Sequence, residues 1–419
     1  MRKVTIRHVL AALLVVLTLA LLPIPESAAA SGHQGTSTGR TGRTGWTGTW
    51  EAAASGTTTA LPGQSVRNVI HTSVGGRAAR IRVSNRLGTA ALELGAAAVA
   101  VQEPDAPKSP DAVPGTVRTV TFGGAASVVV PAGQDAVSDP VPLRVPSDAN
   151  LLVSLYTPGD SGPATYHRSA LQTSFLAPDG NRTADQDGAA YTATTGSWYY
   201  LTGVDVLGAR AAGSVVTLGD SITDGSGSTA SANHRWPDRL AARLRRLPPR
   251  ERLGVLNAGI AGNRVLLDGT GPSALSRLDA DALSRSGVRA VIVMEGVNDI
   301  KGSPNQTDPA AFAAAYREIV ARAHARGIRV VGGTITPYGG NGGWTAAREA
   351  VRQSVNDLIR YGGVFDAVVD FDAAVRDPDA PDRILPAFDS GDHLHFGDAG
   401  LQAMADAVDL HSLIGKDTP

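Results

Sequence analysis

The chain has 419 residues, enough to bury two cores, and its 42% apolar and 18% charged residues are those of an ordinary globular protein. A formal net charge of −1, with no basic block and no interleaving of aromatic and basic residues, argues against nucleic acid as a partner. Cysteine is absent, which excludes disulfides, a thiolate nucleophile and a lipid-modified N-terminal cysteine.

In chain order, Arg2, Lys3 and Arg7 precede the apolar run Val9 to Leu22, and Ala28-Ala29-Ala30 supplies small residues for cleavage. Residues 1–30 therefore read as a signal peptide, the apolar run being short for a membrane span. The expectation is a secreted protein with no stable membrane anchor after cleavage. Only four lysines (Lys3, Lys108, Lys301, Lys416) accompany heavy use of Ala, Gly and Arg, a bias typical of a GC-rich bacterium. Residues 31–49, rich in Gly, Thr and Ser, read as a flexible leader.

Residues 50–208 carry short β-type runs separated by Gly, Pro, Asp and Ser, with no convincing helix. Alternation predicts strands over 79–84 and 116–122, and apolar runs predict buried strands over 127–130 and 151–156. This pattern implies an antiparallel β-sandwich of jelly-roll type. Its aromatic cluster, Tyr166, His167, Trp198, Tyr199 and Tyr200, supplies either a sugar-stacking surface or core and interdomain packing.

From 211 to 415 the pattern changes to alternating strands and helices. Strands are predicted over 215–218, 254–257, 290–294, 329–334 and 367–371, and helices over 236–247, 273–284, 309–325, 345–361 and 399–413. Such alternation implies an α/β fold, a parallel sheet with helices on both faces.

The chemistry concentrates at predicted strand ends. Gly219-Asp220-Ser221-Ile222-Thr223-Asp224-Gly225 follows the apolar run 214–218, so a serine stands where reacting groups collect in an open parallel sheet. Downstream come Asn257-Ala258-Gly259-Ile260-Ala261-Gly262-Asn263, Gly296-Val297-Asn298-Asp299 and Asp392-His393-Leu394-His395. Taken singly, each block is a common turn or cap. An ester hydrolase needs an oxygen nucleophile, a base, a group that orients the base, and oxyanion donors. The four blocks together offer a candidate for each.

In their order, Ser221, Gly262, Asn298 and His395 resemble the four blocks of the SGNH or GDSL-type hydrolases, over about 200 residues. The resemblance implies a flavodoxin-like three-layer domain, with Ser221 as nucleophile, His395 as base, Asp392 as its orienting carboxylate, and Ser221, Gly262 and Asn298 as the oxyanion hole. The pairing of His393 with Asp389 is sterically open as well, but Asp392 with His395 is preferred because Gly397-Asp398-Ala399-Gly400 follows as a helix start. Asp220, Thr223 and Asp224 read as shaping the turn, and the loop 225–233 as either a mobile gate or a plain connection. Arg235-Trp236-Pro237-Asp238 and Glu295-Gly296-Val297-Asn298-Asp299-Ile300 narrow the resemblance to a bacterial arylesterase or acylhydrolase subgroup, some members of which occur beside xylan-degrading enzymes.

The expected partner is a small-molecule or polysaccharide ester, with no cofactor and no metal. Three alternatives stand beside this reading. The protein is an acetylxylan-type carbohydrate deacetylase, a secreted glycan-binding protein with an idle hydrolase domain, or a metalloenzyme using His393, His395, Asp392 and Asp398. The Gly-x-Ser-x-Gly pattern of α/β-hydrolases occurs only at Gly35-Thr36-Ser37-Thr38-Gly39, in the expected leader, without the strand and helix that a nucleophile elbow joins.

Overall fold

The computed structural model describes residues 45–104 and 108–415, so the expected signal peptide and most of the expected leader lie outside the described residues. Beside a smaller three-stranded sheet (Trp198–Tyr199, Ala164–His167, Gly56–Thr58) and a two-stranded one (Leu92–Leu94, Val128–Val130), two large antiparallel sheets occupy the first half. One runs in the order Trp46–Glu51, Leu201–Leu207, Ala78–Ser84, Asp135–Val137. The other runs Ala193–Thr195, Ser174–Ala177, Gln64–His71, Asn150–Thr157, Ala96–Val101, Arg118–Thr119. Alternate residues of the two, Ile81, Val83, Val204 and Val206 against Val66, Ile70, Val99 and Val153, meet in one apolar core. A β-sandwich built this way needs no helix.

Several sequence expectations change here. Residues 46–49, assigned to a flexible leader, form part of a strand in which Thr47, Gly48 and Thr49 are buried. The strand expected over 116–122 is a strand only at Arg118–Thr119, with Phe122 in an isolated bridge to Ala125, and that over 127–130 is a three-residue edge strand with Val129 61% exposed. The central strand Gln64–His71 escaped notice because Arg67 and Asn68 interrupt its apolar pattern. Both are buried, and Arg67 spends its donors on Ser154 Oγ and the Pro110 and Asp185 carbonyls.

The second half is a five-stranded parallel sheet with strands β1 (Gly213–Gly219), β2 (Leu253–Gly259), β3 (Val288–Met294), β4 (Arg329–Gly333) and β5 (Ala367–Val369), in the order β2-β1-β3-β4-β5. This is the flavodoxin-like arrangement, whose chain reversal beside β1 opens a crevice at the carboxyl ends of β1 and its neighbours. Helices α1 (Ser221–Asp224), α2 (Trp236–Leu244), α3 (Ala274–Leu278), α4 (Val297–Lys301), α5 (Pro309–His324), α6 (Ala346–Tyr361), α7 (Phe371–Val375), α8 (Asp398–Ala407) and α9 (Leu410–Ile414) link and cover the strands. One face buries Trp236, Leu240, Phe371, Leu401 and Met404; the other buries Leu278, Phe312, Ile319, Val355 and Ile359.

Caps explain most shifts of boundary. The strand expected to reach Phe371 stops at Val369 because Asp370 accepts from the Ala373 N–H and starts α7. The final helix breaks where Asp409 caps α9, and the helix expected over 273–284 continues past α3 as a π-turn, Asp279–Leu283.

Strand Trp46–Glu51 crosses beside β2, the outer strand of the parallel sheet. The Gly48 N–H donates to the Ser286 carbonyl at 2.9 Å, and Ser73 Oγ accepts from the Val255 N–H at 2.9 Å. Buried ion pairs, Arg285 with Glu51 and Arg86 with Asp281, each at 2.6 Å, join the same two halves.

Candidate active site

Each candidate residue sits where a strand of the parallel sheet gives way to a turn or helix. At the end of β1, Asp220 adopts extended backbone and its Oδ1 accepts from the Ile222 N–H at 2.9 Å, so the chain enters α1 with Ser221 as first helical residue. Gly259, at the end of β2, lets α1 approach: a Cβ there would lie 2.2 Å from the Asp224 nitrogen. Gly262 takes φ +84°, a left-handed conformation that other residues adopt at a cost. That backbone conformation is a physical reason for glycine at this position of the expected oxyanion hole.

Ser221, His395 and Asp392 come together. Ser221 Oγ lies 2.8 Å from His395 Nε2, and His395 Nδ1 lies 2.5 Å from Asp392 Oδ2. Asp392 Oδ1 accepts from the His395 and Leu394 N–H groups at 2.8 and 3.0 Å. Burial works to raise the Asp392 carboxyl, but these hydrogen bonds and the imidazole outweigh it and hold its pKa down to about 2. An ionised Asp392 accepts the Nδ1 hydrogen, which leaves Nε2 of a neutral ring free to accept from the serine hydroxyl.

The neighbouring histidine goes elsewhere. His393 Nδ1 lies 2.5 Å from Asp389 Oδ2, and the ring is half exposed on the rim. Asp398 holds His234 at 2.6 Å and the Thr229 N–H at 2.9 Å. Of the four residues weighed as metal ligands, His395 and Asp392 pair with each other while His393 and Asp398 turn to Asp389 and His234, and no group of three His, Asp or Glu side chains converges among the described residues. The loop 225–233, read as either a mobile gate or a plain connection, is tied down by Asp398 and by the Ser231 N–H, which donates to the Leu171 carbonyl at 2.9 Å.

Gly262 and Asn298 meet through Asn263. Asn298 Nδ2, on α4, donates one hydrogen to the Asn263 carbonyl at 2.9 Å and keeps the other. Among the described residues, the N–H groups of Ser221 and Gly262 donate to no protein acceptor. Three donors at the ends of β1, β2 and β3 are therefore free.

The sequence reading missed the supports. Arg277, fully buried on α3, donates to the Gly219 and Ala258 carbonyls at 3.1 and 2.6 Å and to Asn263 Oδ1 at 3.0 Å, clamping the ends of β1 and β2. Asp299 accepts from the Val265 and Leu266 N–H groups and fixes the exit of the Gly262 loop. Only the Asn-Asp pair hinted at the second. Behind the serine, burial pushes Asp220 up to about 6, and burial with the Asp220 carboxylate pushes Glu295 well above its ordinary range. Of the aromatic cluster, His167, Trp198 and Tyr200 are buried in the core, while Tyr166 and Tyr199 are partly buried and pack on each other at 6.0 Å between ring centroids.

Residues 217–403 match the profile of the GDSL-like Lipase/Acylhydrolase family. No match was found among curated proteins. Among solved structures, the chain is similar to a lipolytic protein of the G-D-S-L family from Desulfitobacterium hafniense DCB-2, at 22% identity over 46% of this chain and 96% of that one, with a TM-score of 0.37. It is also similar to the acetyl xylan esterase AlAXEase, at 22% identity over 46% and 96% of the two chains and a TM-score of 0.34. A third likeness is to the aryl esterase of M. smegmatis, at 18% identity over 46% and 94% and a TM-score of 0.37.

Proposed function

We propose that this protein, an ester hydrolase by virtue of its GDSL-like lipase/acylhydrolase domain, cleaves carboxylic esters of short acyl chains through an acyl-enzyme on Ser221. The observation that carries the reading is the unbroken chain from Ser221 Oγ through His395 to Asp392, at 2.8 and 2.5 Å. In the first step Oγ attacks the acyl carbonyl carbon while Nε2 takes the hydroxyl proton. The resulting imidazolium is stabilised by ionised Asp392. Charge on the carbonyl oxygen is met by the Ser221 and Gly262 N–H groups and the free hydrogen of Asn298 Nδ2. His395 then returns its proton to the leaving alcohol, and water repeats the sequence to release the acid.

The base and its carboxylate lie at the surface, with side chains 20% and 49% exposed, and an open site of this kind suits a dissolved ester or a polysaccharide chain. Export through residues 1–30 is part of the same proposal, supported by the basic start, apolar run and small-residue site.

Initial rates of the mature protein on p-nitrophenyl esters of increasing chain length and on acetylated xylan test the substrate class. The expected result is fastest turnover of the shortest esters; a maximum at long chains overturns that part. Ser221→Ala is expected to abolish turnover and the acyl-enzyme burst. Asn298→Ala, folded as wild type, is expected to lose about 100- to 1000-fold in kcat. Undiminished kcat in that variant removes Asn298 from the oxyanion hole.

A further inference from the structure

His167 belongs to the antiparallel half, at the end of strand Ala164–His167, yet its ring reaches the turn that carries Ser221. Its Nδ1 lies 2.8 Å from the Ala53 carbonyl oxygen and its Nε2 3.0 Å from Asp224 Oδ1. A carbonyl and a carboxylate only accept, so both ring nitrogens carry hydrogen and the ring is an imidazolium. It is 3% exposed and packs on Trp198 at 5.4 Å between ring centroids. A cation so buried needs its counterion. Burial, the largest single influence, works to lower the His167 pKa, but the Asp224 carboxylate and the Ala53 carbonyl together outweigh it and raise it.

Asp224 has a second oxygen, and it too is committed. Oδ2 accepts from the Ala261 N–H at 2.9 Å. Ala261 immediately precedes Gly262, whose N–H belongs to the next peptide and takes its direction from the backbone of Ala261. A line of hydrogen bonds therefore runs from the Ala53 carbonyl through His167 and Asp224 to the backbone of the Gly262 loop. It starts in the antiparallel half and ends beside a free amide. Packing alone would be served by an apolar side chain at 167 and gives no reason for an ion pair whose far end holds this peptide.

We propose that His167 and Asp224 are positioning residues, which fix the Ile260–Ala261 peptide and with it the place of Ala261, from which the Gly262 N–H is set to face the oxyanion beside Ser221. This rests on the reading of Ser221 as nucleophile and Gly262 as oxyanion donor. Neither His167 nor Asp224 touches substrate. On this account the antiparallel half supplies part of the catalytic geometry rather than a separate binding surface.

The test uses the full chain with His167→Gln and the isosteric Asp224→Asn, assayed on p-nitrophenyl acetate with active sites counted from the acyl-enzyme burst. Per active site, kcat is expected to fall about 10- to 100-fold, the scale of a misplaced catalytic group, with KM within about threefold of wild type. The double variant should lose no more than the worse single one, because both act through one chain of contacts. Inhibition by phenylboronic acid, whose tetrahedral adduct on serine occupies the oxyanion position, should weaken in parallel with kcat. A melting temperature lowered without change in kcat per active site overturns the proposal, as does a rise in KM alone. If His167→Gln fails to fold, Asp224→Asn decides the matter, since it keeps the shape of the turn and puts an amide where two donors converge. Turnover surviving in Ser221→Ala instead overturns the reading on which the proposal rests.

Discussion

Asp220 does its work as a cap, and a cap need not be charged. Its carboxyl ionises at about 6 in the folded protein against 3.8 ordinarily, chiefly because burial disfavours the charged form. The unfolded chain therefore releases this proton first, and the group withdraws stability as pH climbs from 3.8 to about 6, with the full penalty above that range. Asp220→Asn keeps an oxygen for the Ile222 N–H and removes the ionisation. The variant is expected to melt above wild type at pH about 8 and to converge with it below pH about 4. Thermal melts at the two pH values check this; an equal gap at both sinks it. Asp392 runs the opposite way. Its depressed carboxyl contributes stability above pH 3.8 that is lost only as pH falls toward about 2.

Among the elements, α3 carries the heaviest duty for its five residues. Arg277 joins three acceptors on β1, β2 and the Gly262 loop, with Asp281 and Glu295 at 3.5 and 3.7 Å as acidic neighbours. Arg277→Leu leaves those acceptors buried without a donor and is expected to cost about 3 to 5 kcal/mol of stability. Urea unfolding measures it, and a loss below about 1 kcal/mol would show the clamp to be dispensable. The alternation of β and α elements was legible from residue 211 onward because buried parallel strands are continuous apolar runs, such as Val215 to Leu218 in β1. The candidate triad was legible for a different reason: serine, histidine and aspartate at strand ends have few structural excuses when they occur together. Arg277 and His167 were illegible, since their partners are backbone carbonyls and a carboxylate 57 residues away that no local pattern records. Strand Gln64–His71 was hidden because the buried Arg67 and Asn68 break the apolar pattern of Val66, Val69 and Ile70.

At the scale of the molecule, the antiparallel half covers the outer strand of the parallel sheet. An exposed edge of this kind invites pairing with other chains, and here the Val255 N–H is taken by Ser73 while strand Trp46–Glu51 packs alongside. A fragment spanning 211–415 also strands Arg285 and Asp281 without Glu51 and Arg86. Expressed alone, it is expected to self-associate and to turn over p-nitrophenyl acetate at least about tenfold more slowly than the full chain. Size-exclusion chromatography with parallel assays checks this; a monomeric fragment of full activity would refute it. The order of the halves along the chain then acquires a meaning in time. Synthesis runs from the N terminus, so residues 46–207 leave the ribosome before β2 exists. The strand most prone to pair with a stranger emerges only after its own guard has been made.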